Sequence, residues 1–218
     1  MGRRTGWLLA AAALLAAGSP AAAQERAADR FGPPARTTLT LFGAVLTPLN
    51  NITADASSFG TAVSSSGAVG GDATFWFGTG HLGLGFQGAY APADLEVKPT
   101  EFQGAVPSDL GGADYVAATA TLMYRLLPAG AAAAVEPYFG LGGGVRRLSV
   151  QAIASPEVED VTDPVGSVAA GAKVWFSRRF AIHFEVRDIV SSFEAPTTGA
   201  SRLQNDVLIS VGLGTRLR

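Results

Sequence analysis

The sequence contains no cysteine, which excludes a disulfide framework, thiolate metal sites and a lipid-modified amino-terminal cysteine. Its only histidines are His81 and His183. No glycine-rich phosphate loop follows a strand and opens a helix, and no basic patch marks a nucleic-acid partner. Beyond residue 23 there is no run of about twenty apolar residues, so nothing there can cross a membrane as a helix. No repeat of about 20 to 50 residues is present, which argues against a propeller or a solenoid.

The amino terminus, MGRRTGWLLAAAALLAAGSPAAAQ, supplies a basic start, an apolar run and three alanines ahead of Gln24. That order predicts a secretory signal peptide over residues 1–23. The apolar run is too short to span a bilayer as a helix, and Gly18–Ser19–Pro20 interrupts it. Cleavage after Ala23 removes Arg3 and Arg4 but no acid, so the formal charge of −2 falls to about −4. Residues 24–35 are polar, include Pro33–Pro34 and read as a flexible leader. The remainder, 36–218, is expected to be one domain.

The strongest pattern lies at 164–193, in PVGSVAAGAKVWFSRRFAIHFEVRDIVSSF. Phe180, Ile182, Phe184 and Val186 alternate with Ala181, His183, Glu185 and Arg187. Val168, Ala170, Ala172, Val174 and Phe176 alternate with Ser167, Ala169, Gly171 and Lys173. Period-two alternation places one apolar and one polar face on each strand, and the short link at 177–179 makes the pair an antiparallel hairpin. Both runs exceed the five or six residues usual in soluble sheets. About nine to eleven tilted residues cross a bilayer as β-structure, with the apolar face to lipid and the charged face to the lumen.

Eight such runs are predicted, near 37–47, 68–78, 80–91, 114–127, 136–150, 165–177, 180–191 and 205–217. Their connections alternate long and short, as in an up-and-down barrel with short periplasmic turns and long external loops. The four long connections hold ten acids against Lys98 and Arg202. Phe75, Trp76, Phe77, Tyr124, Tyr138, Phe139, Trp175, Phe176 and Phe180 cluster beside the short connections, and are expected to form an interfacial girdle. Tyr90, Tyr115 and Phe193 mark the opposite end more thinly. The many glycines fit a narrow barrel, where strands curve and large luminal side chains need room opposite.

These residues resemble the bacterial outer-membrane β-barrel family, with the small OmpA-like eight-stranded barrels as nearest kin. The resemblance rests on EPYFGLGGGV at 136–145, VWFSRRFAIHFEVR at 174–187 and NDVLISVGLGTRLR at 205–218, and covers the chain from about Arg36 onward. It implies insertion in the outer membrane by the assembly machinery, with lipid and lipopolysaccharide as surroundings. Family members usually close on an aromatic residue, where this chain has Leu217–Arg218.

The expected fold is therefore all-β, an eight-stranded antiparallel up-and-down transmembrane β-barrel in the outer membrane. Its lumen should gather Asp72, Gln87, Arg125, Glu136, Arg146, Lys173, His183, Glu185, Arg187, Asp206 and Arg216. Eight strands leave an interior that side chains can fill, and opposed charges there must pair. A structural charge network is thus expected, with no catalytic, cofactor or metal role. His183 and Glu185 have the spacing of a base and its orienting acid, but no serine beside them is marked as a nucleophile. Glu157, Glu159, Asp160 and Asp163 have the chemistry of a divalent-cation site, and are read instead as a solvated loop. The expected role is structural or interactive. The alternatives are a narrow porin or OmpW-like conduit for small apolar molecules and, behind it, a lipid-modifying enzyme.

Overall fold

The computed structural model describes residues 35–49, 53–54, 59–78, 80–99, 108–127, 133–152, 161–194 and 201–217. The expected signal peptide and all but the last residue of the expected leader lie outside them. Ten strands follow in order: β1 (Thr37–Pro48), β2 (Thr53–Ala54), β3 (Phe59–Val63), β4 (Ser66–Trp76), β5 (Leu82–Pro99), β6 (Ser108–Arg125), β7 (Val135–Ala152), β8 (Val161–Trp175), β9 (Phe180–Glu194) and β10 (Ser201–Leu217). The main staves run β4–β1–β10–β9–β8–β7–β6–β5, and β5 pairs with both β4 and β6, so the sheet closes on itself. Every pairing is antiparallel. The result is an eight-stranded up-and-down barrel, which leaves no exposed sheet edge along its wall.

The strands extend further on the long-loop side than the eight expected runs. β5, β6 and β7 each have 18 residues. Above β4, β3 continues the pairing with β5, and β2 folds back on β3 as a short hairpin. Part of each long connection is therefore strand, because backbone pairing continues where the outward face is no longer apolar.

Alternation is strict where the wall meets lipid. Ile182, Phe184 and Val186 point outward, while His183, Glu185 and Arg187 are buried in the lumen. Leu41 is 77% exposed and Leu213 is 55% exposed, and outward Leu, Val and Phe residues occur on every stave. A continuous apolar surface of this extent marks contact with lipid rather than water. On β6 the belt runs from Val116 to Tyr124 and ends above at Asp114, which accepts a 2.6 Å hydrogen bond from the Tyr90 hydroxyl. About ten residues at 3.3 Å each, tilted about 40°, give ~25 Å, the height of an outer-membrane apolar band.

The aromatic girdle needs one correction. Phe75, Phe77, Tyr124, Phe139, Phe176 and Phe180 face outward at the short-turn end, but Trp76, Trp175 and Tyr138 are buried inside the barrel. Tyr115, at the other end, is also luminal. Each lies on the inward phase of its strand, and position along the strand cannot override that phase. The side chain of Phe193 is outside the described residues.

Candidate functional site: the barrel interior

All eleven residues expected in the lumen reach the interior: Asp72, Gln87, Arg125, Glu136, Arg146, Lys173, His183, Glu185, Arg187, Asp206 and the half-buried Arg216. They form three groups rather than one. Nearest the short turns, the Arg125 guanidinium stacks on Trp76 at 4.1 Å and that of Arg216 on Trp175 at 4.4 Å. Arg125 lies 3.9 Å from Glu136 and donates to the Ala35 carbonyl at 2.8 Å. Ala35 is itself buried, so the chain entering β1 packs against this floor. Stacking on an indole keeps a guanidinium favourably placed once bulk water is gone.

The middle group is the densest. Glu185 accepts from Gln87 (2.9 Å), from the Tyr138 hydroxyl (2.7 Å) and from the guanidinium of Arg187 (3.0 and 3.3 Å). Arg187 also donates to Thr119 (3.0 Å) and Thr121 (2.8 Å). Tyr138 meets His183 Nε2 as well. Its single hydroxyl proton serves Glu185, so the imidazole N–H is the donor to Tyr138. Lys173 donates to Thr38 and, at 2.9 Å, to Thr74, whose hydroxyl passes a 3.3 Å bond to Asp72. Gly171 makes room for this arrangement: a Cβ there would stand 2.5 Å from the Tyr138 hydroxyl.

Two of these bonds span the full barrel. Gln87 on β5 and Glu185 on β9 are separated by three staves whichever way the wall is followed, and so are Lys173 on β8 and Thr74 on β4. The third group lies toward the long loops. There Arg146 joins Asp163 (2.6 Å) and Asp206 (2.9 Å), and Gln204 adds a 3.2 Å bond to Asp206. Around this third group and beyond it toward the long loops the lumen is apolar, with Phe42, Leu46, Ile189 and Leu208 packed with the small Ala89, Ala91, Ala113 and Ala117.

Asp163 corrects the loop reading. It is a luminal partner of Arg146, not part of a solvated acidic loop. Glu157, Glu159 and Asp160 lie outside the described residues. With Asp163 included, Arg125, Arg146, Lys173, Arg187 and Arg216 match Asp72, Glu136, Asp163, Glu185 and Asp206 one for one. Thr38, Thr74, Thr119, Thr121 and Tyr138 also belong to the network. Sequence reasoning ranked charges and passed over hydroxyls, although the inward phase of each strand marks them. Among the described residues, no cluster of three metal-ligating side chains occurs.

No protein-family profile matches the chain, and no curated protein matches it. Among solved structures it is similar to the outer membrane protein OprG from Pseudomonas aeruginosa. Identity is 17%, coverage is 84% of this chain and 97% of that one, and the TM-score is 0.59. It is also similar to Neisserial surface protein A, at 13% identity, covering 83% of this chain and 97% of that one, with a TM-score of 0.51. At these identities the likeness is one of fold: a small outer-membrane β-barrel.

Proposed function

We propose that the protein is a structural or interaction component of the outer membrane, a shut barrel that holds external loops above the lipid. The observation carrying this reading is the pair of full-diameter contacts, Gln87–Glu185 and Lys173–Thr74. A water column cannot pass where side chains from opposite walls hydrogen-bond. A role without enzymatic activity is supported by the position of His183, fully buried among Tyr138, Glu185 and Lys173 and away from lipid. Lipid, lipopolysaccharide and the assembly machinery are the partners this reading requires. Purified protein in planar bilayers should show no steady conductance. Regular discrete openings, together with a harmless Glu185→Gln substitution, would make it a pore.

The apolar layer favours one second reading, a conduit for small apolar molecules. Ala89, Ala91, Ala113 and Ala117 offer such a molecule an oily, small-side-chain surface above the charged groups. Uptake of a radiolabelled alkane by cells with and without the protein separates the two. A protein-dependent rise that Ala117→Phe abolishes would establish the conduit.

A further inference from the structure

The outer wall carries an apolar groove of about 630 Å³ across β4, β1 and β10. Gly71 and Ala73 form its low part, Leu41 and Leu213 rise beside them, and Phe86 and Phe180 bound it. It sits in the half of the belt next to the short turns. Ala73 pairs with Leu39, Leu39 with Thr215, and Thr215 with Phe180, the first residue of β9. Immediately below are exposed arginines: Arg178 and Arg179 directly before Phe180, and Arg36 directly before Thr37. The Arg36 carbonyl accepts from the Trp76 amide (2.7 Å) and that of Arg179 from the Arg216 amide (2.9 Å). Both arginines are thereby anchored to the lower ends of β4 and β10, which line the groove.

A depression in a lipid-facing wall is filled by acyl chain, because an unfilled one forfeits dispersion contacts on every lining atom. Guanidinium groups beneath it select for an anionic headgroup, and bind phosphate oxygens with charge-assisted hydrogen bonds. We propose that the groove and these arginines form a binding site for one anionic phospholipid of the periplasmic leaflet, with an acyl chain against Gly71 and Ala73 and the phosphate on Arg36 and Arg179. Lipopolysaccharide is the wrong partner, since its phosphates lie at the long-loop end of the barrel.

The test uses the full chain folded into nanodiscs of equal phosphatidylglycerol and phosphatidylcholine, released into detergent and weighed by native mass spectrometry. Heat-dependent gel migration verifies that each variant is folded. The wild type should retain one phosphatidylglycerol in preference to phosphatidylcholine. Ala73→Phe, which fills the groove with an outward apolar ring, should abolish retention. Arg36→Gln with Arg179→Gln should still retain lipid while losing preference for phosphatidylglycerol by about fivefold per arginine. The proposal is overturned if the wild type retains no lipid, if it retains both lipids equally, or if retention survives Ala73→Phe. A dimer that Ala73→Phe dissociates would overturn it too, by assigning the groove to a second copy.

Discussion

Glu185 collects donors from β5, β7 and its own strand, so its loss should be felt more than that of any other luminal side chain. Glu185→Gln leaves the Arg187 guanidinium buried without its counter-charge, and the expected cost is about 3–5 kcal/mol. Urea refolding titrations in lipid vesicles measure this; a loss below about 1 kcal/mol would mean that the pairs are screened by water. Tryptophan gives an independent check on facing. Trp76 and Trp175 lie against luminal arginines, and the remaining tryptophan, Trp7, falls in the expected signal peptide. Brominated lipid should therefore quench the emission of the processed protein weakly. Phe176→Trp, which adds an indole on the outward face, should raise the quenched fraction sharply.

At the scale of the element, β9 and β8 carry the contrast between belt and rim. Val186 lies within the belt on the outward face, so Val186→Arg should destabilise the barrel by about 2–4 kcal/mol. Thr162 is exposed near the loop-side start of β8, where Thr162→Arg should cost about 0–1 kcal/mol. Equal losses at the two positions in the same refolding titration would mean that the belt is misplaced. The facing of both strands was legible in advance except at Trp175, expected in the girdle and found inside, because the side-chain period of a strand is two and the hairpin has no break in phase. Strand length was not. Beyond the belt the alternation continues with its apolar residues inward, as at Ala91, Ala93 and Leu148, so the outward apolar pattern that bounds a lipid-facing run stops short of the strand ends.

The whole molecule behaves as one closed unit because hydrogen bonds cross its diameter as well as circling its wall. Gln87 and Glu185 are 98 residues apart in sequence and directly bonded. A double-mutant cycle of Gln87→Ala and Glu185→Ala should return a coupling of about 0.5–3 kcal/mol, whereas unconnected positions should add. Unboiled protein in detergent should migrate differently from boiled protein, with a β-type circular dichroism spectrum. A soluble monomer in the absence of detergent would contradict the lipid-facing belt.

The amino-acid sequence by itself determined the barrel, its strand number, and which face of each strand meets lipid, since alternation and the long–short rhythm of connections are local properties. It also determined that Asp72, Lys173, His183, Glu185 and Arg187 share an interior. Only the tertiary structure decided who meets whom. Lys173 reaches Thr38 and Thr74 rather than an acid, Arg146 takes Asp163 as well as Asp206, and Trp76, Tyr115, Tyr138 and Trp175, read as aromatic markers of the barrel ends, turn inward. The physical reason is closure: the stagger of the strands sets which inward residues face each other across the lumen, and that stagger is a property of the whole ring that no single stretch of sequence contains.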